Sequence, residues 1–133
     1  VVVAGKDIEA MRDFYARKMK LPVTKPHEVP ISVLSHAQGL NPEQRYRLAI
    51  AQLPARFLIE IDEYPESAAV RPRRKDDLFP GMSFVSFAVK SIDSLDLVLT
   101  QPPVVIKEAP YNGRRVALTI GAAGEVIELI ETP

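Results

Sequence analysis

The amino-acid sequence predicts an α+β fold in which two βαβββ modules form a cupped, mostly antiparallel mixed sheet. Three observations predict it. The chain has 133 residues, the length of one compact domain or of two small half-domains that share a core. Apolar and polar residues alternate along several short stretches, which is typical of half-buried strands. One helical pattern and one strand pattern each occur twice, which indicates an internal repeat.

The composition excludes several functional classes. Basic and acidic side chains number 17 each, so the chain lacks the basic excess of nucleic-acid-binding proteins. No apolar run approaches the length that is needed to cross a membrane. The chain has no cysteine, which removes disulfides, thiolate metal ligands and cysteine nucleophiles. We therefore expect a cytoplasmic protein with neither a nucleic-acid nor a membrane partner.

The first half of the chain reads as a strand, a helix and three further strands. Asp7 caps the helix, because its carboxylate can accept hydrogen bonds from the first free amide groups. Residues 25–30 read as a proline-rich loop, and Pro54 marks a hairpin between the last two strands. The apolar residues of the helix share one face: Ile8, Met11, Tyr15 and Met19. The predicted strands are 1–4, 31–36, 46–53 and 56–63.

The second half repeats this order after an exposed linker. The linker, residues 65–80, holds three prolines and a charged run that we interpret as solvated. Ser91 caps a second, shorter helix over residues 92–99, and two prolines end it. The linker cations are Arg71, Arg73, Arg74 and Lys75. The predicted strands are 82–90, 104–107 and the two runs that flank residues 121–124, with a hairpin turn at Asn112-Gly113. The predicted modules are therefore 1–64 and 81–133.

The internal repeat extends to single residues. Asp7-Ile8-Glu9-Ala10-Met11 parallels Ser91-Ile92-Asp93-Ser94-Leu95, since each is a cap, an apolar residue, an acid, a small residue and an apolar residue. Residues 57–63 and 125–131 share the pattern Ile-Glu-(Ile/Leu)-x-Glu. The second copy is shorter, mostly because it lacks the loop at 25–42. Each module leaves one sheet face uncovered, so we expect the two copies to complete a shared concave cup.

Glu60 and Glu128 are the candidate catalytic residues. Side chains alternate across a strand, so both glutamates oppose an apolar face that should pack under a helix, and both should point into the cup. One interpretation is a pair of carboxylates on a partly wet face, hydrogen-bonded to nearby Ser, Tyr or Arg. The other is an acid–base pair or a set of ligand anchors, with mutual repulsion raising at least one pKa.

The chain resembles the vicinal oxygen chelate superfamily over nearly its whole length. The resemblance rests on the duplicated βαβββ order, on Asp-Ile-Glu-x-x-x-x-Phe-Tyr at 7–15, and on Gly-x-x-Ile-Glu-Leu-x-Glu at 124–131. That group includes glyoxalase I, bleomycin-resistance proteins, methylmalonyl-CoA epimerases and extradiol dioxygenases. The resemblance implies a homodimer, and it implies that Glu60 and Glu128 take the positions of acidic metal ligands. In metal-dependent members, the first strand of each module supplies their partners, commonly His.

The sequence departs from this metal-site pattern. The expected ligand position of the fifth strand is Phe84, which cannot ligate a metal, and its counterpart would lie just before Val1. Because the chain begins with Val rather than Met, we expect native residues to precede it. Residues 120–124 keep only the final glycine of the Asp-Pro-x-Gly turn that is usual in the superfamily. A divalent metal held by Glu60 and Glu128 is therefore possible but disfavoured, given how many ligands such sites need.

Four further residues are candidate ligand-binding residues: Phe84, His36, Tyr111 and Arg115. Phe84 favours stacking on a planar ligand. His36 falls on a predicted strand, where it either points into the cup or lies at the surface, whereas His27 reads as a solvated loop residue. Tyr111, Arg114 and Arg115 flank the Asn-Gly turn, where an arginine can hold a carboxylate or a phosphate in a bidentate fork.

Three functions remain open at this stage. The first is an enzyme of the glyoxalase or dioxygenase-like group, a lyase, isomerase or dioxygenase that acts on a small carbonyl, carboxylate or aromatic compound. The second is a non-catalytic small-molecule binder of the bleomycin-resistance type. The third is a subunit whose own side chains close the cup.

Overall fold

The computed structural model describes residues 1–69 and 84–133. These belong to two compact units, unit 1 (residues 1–69) and unit 2 (residues 84–133). Each unit contains a four-stranded sheet with one parallel and two antiparallel strand pairs. The predicted α+β class, with two related modules, is confirmed.

Unit 1 is built around the central strand pair β3 and β4, in the strand order β1-β4-β3-β2. Its strands are β1 Val2–Gly5, β2 His27–Pro30, β3 Arg45–Gln52 and β4 Leu58–Glu63. The helix α1, Ile8–Asp13, begins at Asp7, whose carboxylate accepts a hydrogen bond from the Ala10 amide at 2.9 Å, as predicted. The helix continues as a π-helical turn, Phe14–Lys18.

One face of the unit 1 sheet packs under α1, which contacts both β3 and β4. The helix presents Ile8, Met11 and Tyr15, all nearly inaccessible to solvent. Opposite them lie the equally buried side chains of the sheet: Ala49, Ala51, Ile59 and Ile61. This confirms the predicted apolar face of β4 except at Phe57, which is 70% exposed because the strand begins one residue later.

The second strand of unit 1 is not where the sequence predicted it. Residues 31–36 were expected as a strand but belong to the helix α2, Ser32–Ala37, and the expected loop at 25–30 contains β2. The buried hydroxyl of Ser35 lies 3.0 Å from Tyr46 Oη, which ties α2 to β3. Because β2 is an edge strand, Pro30 at its end removes no hydrogen bond from the interior of the sheet.

Unit 2 has the strand order β5-β8-β7-β6. Its strands are β5 Phe84–Val89, β6 Val104–Ile106, β7 Arg114–Ile120 and β8 Val126–Glu131. The predicted turn before β7 is confirmed, with Asn112 at φ 51° and Gly113 at φ 83°. At Gly121, in the last turn, the carboxylate of Glu125 occupies the space that a Cβ would fill, so a larger residue there would displace that side chain.

The predicted second helix, over residues 92–99, is wrong. Ile92 is buried as expected, at 2% exposure, but the chain makes only a turn in which the Leu95 amide donates to the Ile92 carbonyl at 3.1 Å. The Ile92 amide is held instead by Glu131 Oε1 at 2.8 Å, and Leu99 bridges to Thr119 in extended conformation. So short a segment, fixed at both ends, cannot offset the free-energy penalty of helix nucleation.

The internal repeat is visible in the hydrogen bonds of the two units. The Val23–Ala51 bridge in unit 1 matches the Leu99–Thr119 bridge in unit 2. Likewise, the Thr24 amide donates to the Ile50 carbonyl, and the Thr100 amide donates to the Leu118 carbonyl. Measured from these bridges, unit 2 is shorter both in its helix segment and in the stretch before its third strand. The missing loop at 25–42 therefore explains only part of the difference.

Part of the predicted linker lies outside the described residues. Of residues 65–80, the structure describes only 65–69, so the cations Arg71, Arg73, Arg74 and Lys75 fall outside it, as does the start of the predicted strand 82–90. In the described part of the chain, no helix has the length and apolar character that crossing a membrane requires.

Candidate ligand site in unit 2

The candidate site lies on one face of the unit 2 sheet, which we call the Glu128 face. Its two central rows are fixed by strand register: Ser86 and Leu118 pair with Glu128, and Phe84 and Ile120 pair with Val126. Because side chains alternate along each strand, these residues project to the same side of the sheet. The Glu128 face consists of Phe84, Ser86, Leu118, Ile120, Val126 and Glu128.

Glu128 is held by two hydroxyl groups. Its side chain is buried, with the residue 7% exposed. Ser86 Oγ donates to Oε2 at 2.5 Å, and Tyr111 Oη donates to Oε1 at 2.6 Å. Ser86 lies on the neighbouring parallel strand, whereas Tyr111 comes from the turn between β6 and β7. The structure thus shows the first sequence interpretation at this position: a carboxylate hydrogen-bonded to nearby Ser and Tyr.

The hydrogen bond to Glu128 also sets the state of the Tyr111 hydroxyl. A carboxylate that accepts a hydrogen bond from a phenol favours the protonated form of that phenol. The hydrogen bond to Glu128 therefore raises the pKa of Tyr111, and burial and the negative charge of Glu128 raise it further by smaller amounts. The phenol is therefore a neutral donor at neutral pH. Hydrogen bonds to an ionised acceptor are stronger than those between neutral groups, so the pair is well fixed.

The surroundings of Glu128 are apolar and open. Phe84 and Ile120, in the row next to it, are 50% and 48% exposed. Ser86 is exposed as well, while Leu118 and Val126 are half-buried. A buried carboxylate therefore lies beneath an apolar rim that solvent, or a ligand, can reach.

Arg115 is not part of this arrangement. It lies on β7 three residues before Leu118, the residue that pairs with Glu128, and this odd spacing directs its side chain to the opposite face. There its guanidinium donates to both carboxylate oxygens of Asp93, at 2.9 and 3.0 Å, and to Glu131 Oε1 at 3.0 Å. These hydrogen bonds raise the pKa of Arg115, and the same contact lowers the pKa of Asp93. The fork predicted for a ligand anion is occupied by an internal carboxylate.

Unit 1 carries Glu60 at the position that corresponds to Glu128, but with different neighbours. Glu60 pairs with Val2 and Ile50, neither of which can hydrogen-bond through its side chain. Asp62, the next residue on that face, is 3% exposed, and its Oδ1 has no partner among the described residues. Burial, the charge of Glu60 and a hydrogen bond with Glu60 together raise the pKa of Asp62 to about 6.

The two histidines lie in unit 1 and are exposed. His36 is on α2 rather than on a strand, so the predicted strand orientation for it is wrong. His27 is on the edge strand β2, opposite Leu48, instead of in the loop that was predicted.

The described residues do not fit a metal ion of the kind that the superfamily resemblance implies. Glu60 and Glu128 lie in different units, and the strand beside Glu128 offers only Phe84 and Ser86. Within residues 1–69 and 84–133, no group of three or more His, Cys, Asp or Glu side chains is placed to hold one. We derive no chemistry through a metal.

Sequence reasoning missed Ser86 and Asp62. The offset between the two helix caps pointed to Phe84, whereas the strand register places Ser86, two residues later, directly beside Glu128. Alternation in β4 already put Asp62 on the face of Glu60, and that was the available signal. Its burial followed from packing that the strand pattern does not contain.

Comparison with solved structures identifies the fold. A glyoxalase family protein from Bacillus cereus superposes with a TM-score of 0.71 at 18% identity, covering 98% of this chain and 90% of its own. A glyoxalase/dioxygenase from Nostoc punctiforme gives 0.65 at 18% identity, covering 100% and 88%. A glyoxylase/bleomycin resistance protein/dioxygenase domain from Frankia gives 0.64 at 16% identity, covering 100% and 89%.

Sequence comparison adds nothing to this result, since no family model and no curated protein matches the chain. The structural likenesses confirm the fold of the vicinal oxygen chelate superfamily that the motifs at 7–15 and 124–131 had predicted. At identities this low they establish the fold alone.

Proposed function

We propose that this chain is a small-molecule-binding protein, of the same general type as the bleomycin-resistance proteins, and that its ligand lies on the Glu128 face. One observation carries the proposal: a buried carboxylate, fixed by two hydroxyl groups, lies beneath an exposed apolar rim. Ligand sites in proteins are mostly apolar and carry a few well-placed polar groups, which is the composition of this face.

The rim residues suit a planar ligand. Phe84 leaves half of its surface exposed, and an aromatic ring in that state gains most by stacking on another flat surface. Glu128 supplies a single fixed polar anchor, because Ser86 and Tyr111 restrict the orientation of its carboxylate. A fixed anchor loses little conformational entropy when a ligand binds.

The test is a screen of small aromatic and carbonyl compounds by two-dimensional NMR. Binders should shift the amide resonances of Ser86, Ile120 and Glu128. The Phe84→Ala variant should weaken binding by about three- to tenfold, the loss expected for one aromatic contact. The matched control is Val98→Ala, which removes an apolar side chain that is 82% exposed outside the face. The proposal would be refuted by compounds that shift the resonances of other residues instead, or whose affinity is the same for the Phe84→Ala variant and the unaltered protein.

A second candidate is an enzyme of the glyoxalase-like group that moves a proton on a small carbonyl compound. The contact between Glu128 Oε1 and Tyr111 Oη favours it. When the carboxylate takes a proton from carbon it becomes a carboxylic acid, and the phenol hydrogen that it had accepted can then turn to the developing oxyanion. We expect deuterium uptake from D₂O at the α-carbon of a hydroxyketone such as dihydroxyacetone. Glu128→Gln should slow it by about a hundredfold or more. If the unaltered protein gives the same rate of deuterium uptake as buffer alone, the enzyme hypothesis is excluded, and the small-molecule-binding function is unaffected.

A further inference from the structure

We infer that the ligand of the Glu128 face is a hydrogen-bond donor, and specifically a planar organic cation such as an amidinium, rather than an anion or a simple carbonyl compound. This inference rests on the proposed binding function and adds the chemical class of the ligand. It follows from the direction of the hydrogen bonds at Glu128 and from the charges that face it.

Every donor hydrogen of the polar cluster is directed inward. A serine or tyrosine hydroxyl has one hydrogen and two lone pairs. Ser86 directs its hydrogen to Glu128 Oε2, and Tyr111 directs its hydrogen to Oε1. What remains for a ligand is the lone pairs of Ser86, of Tyr111 and of the carboxylate itself. The three side chains therefore form a surface that only accepts hydrogen bonds.

The charges around Glu128 also favour a cationic ligand over an anionic one. Glu128 is a carboxylate, and Tyr111 remains a neutral phenol because its pKa is raised. Arg115, whose side chain is partly exposed, lies on the opposite face and is paired with Asp93 and Glu131. Arg114 shares the face by alternation but lies four residues along β7 from Leu118, which is roughly 13 Å. An anion at Glu128 would meet like charge, and none of the six described residues of the Glu128 face carries a positive charge to compensate it.

The apolar rim adds the second requirement. Phe84 and Ile120 lie in the row beside Glu128 and are half exposed, so the ligand body should be apolar and flat. A cation held near Glu128 would also be attracted by the face of the Phe84 ring. A planar group with N–H donors along one edge satisfies the carboxylate and the ring together.

The experiment uses four compounds with one benzene ring each: benzamidine, benzamide, benzaldehyde and benzoate. Dissociation constants are measured by NMR titration, following Ser86, Ile120 and Glu128. We expect benzamidine to bind at least about tenfold more tightly than benzoate and benzaldehyde, with benzamide between them, because hydrogen bonds to a charged acceptor have about that effect.

Two variants and one control locate the preference. Glu128→Gln should weaken benzamidine by about tenfold and leave benzaldehyde nearly unchanged. Ser86→Ala alters an exposed residue, so it should fold normally, and it should weaken benzamidine less than Glu128→Gln does, since the carboxylate remains but loses one of the two hydroxyl groups that fix it. Asp96→Asn removes one exposed negative charge elsewhere in unit 2 and should change nothing.

The outcomes separate this inference from the function on which it rests. If benzoate or benzaldehyde shifts the Glu128 face and binds as tightly as benzamidine, the donor preference is wrong and the binding function stands. If Asp96→Asn weakens benzamidine as much as Glu128→Gln does, the attraction is general charge and the inference is again wrong. If none of the four shifts the face at millimolar concentration, both fail.

Discussion

The two units share one construction on one sheet face and differ on the other. In unit 1, Arg47 joins Glu9 at the start of α1 to Glu63 at the end of β4. In unit 2, Arg115 joins Asp93 to Glu131 in the same way. These two ion clusters occupy matching positions of the repeat, although one connecting segment is a helix and the other only a turn.

The opposite faces have diverged in chemistry. Beside the glutamate that both units carry, unit 1 places Val2 and the buried Asp62, while unit 2 places Ser86 and Ile130. Glu128 thus has hydroxyl partners, whereas Glu60 has two residues away a buried acid, Asp62, whose Oδ1 lacks a hydrogen-bond partner among the described residues. The two units therefore share the strand register and the ion cluster, and they differ in the side chains of the opposite face.

The largest effect should come from the buried isoleucine that both connecting segments share. Ile8→Ala and Ile92→Ala each remove a side chain that is at most 2% exposed. We expect each to lower the free energy of unfolding by about 2–5 kcal/mol, because each leaves a cavity in an apolar core. The measurement is urea-induced unfolding followed by circular dichroism. If Ile92→Ala alone lowers the free energy of unfolding by less than about 1 kcal/mol, the turn in unit 2 does not anchor to its sheet as the helix in unit 1 does.

The next effect should come from Asp62, which has no titrating counterpart in unit 2. Its folded pKa of about 6 lies above its ordinary value of 3.8, so between these values the folded state holds a proton that the unfolded state has lost. The contribution of Asp62 to the free energy of unfolding therefore falls as pH rises from about 4 to about 6, and then stays constant. The buried charge should cost at most about 3 kcal/mol at neutral pH.

Asp62→Asn tests this directly, because it removes the ionisation with little change in shape. The variant should be more stable than the native chain at pH 7, by up to about 3 kcal/mol, and the gain should vanish toward pH 4. The control is Asp96→Asn, an exposed carboxylate that should give a difference near zero at both pH values. A gain from Asp62→Asn that is independent of pH would show that packing, rather than charge, is responsible.

The smallest effect should distinguish the two ion clusters. In unit 1, α1 is already fixed by its buried apolar residues, so Arg47→Ala should lower the free energy of unfolding by less than about 1 kcal/mol. In unit 2, the turn segment is fixed by Ile92 and by the network of Arg115, so Arg115→Ala should lower the free energy of unfolding by more than Arg47→Ala does. Urea-induced unfolding of both variants measures these two losses. The control is Arg114→Ala, which alters an exposed neighbour of Arg115. Equal losses would mean that the helix adds nothing to the attachment.

Much of the fold was accessible from the sequence because its signals are local. The Asp7 cap, the apolar spacing of α1 and the Asn112-Gly113 turn each depend on a few neighbouring residues, and each was predicted correctly. The errors fall where tertiary contacts decide. The predicted strand 31–36 is replaced by the helix α2, in which Ser35 pairs with Tyr46. The predicted helix 92–99 is replaced by a turn and an extended stretch, which contacts to Glu131 and Thr119 hold in place.

The site was accessible only in part. Alternation identified Glu128 and its face, but the distance between Ser86 and Glu128 depends on a parallel strand register that no local pattern encodes. Tyr111 was selected only because it lies near a turn, whereas its hydroxyl reaches across to β8. Arg115 was selected for the same reason, whereas the face on which it lies becomes visible only once the strands are paired.

The position of the two ion clusters has a consequence for how such a protein can change. Each cluster lies on the sheet face that packs against the connecting segment. The side chains on the opposite face therefore contribute little to holding the unit together. Substitutions at positions 84, 86 and 120 should therefore change the Glu128 face with little loss of the contacts that hold unit 2 together. In each unit, the ion cluster and the side chains that differ between the copies lie on opposite faces of the sheet, so one face can vary while the other is kept.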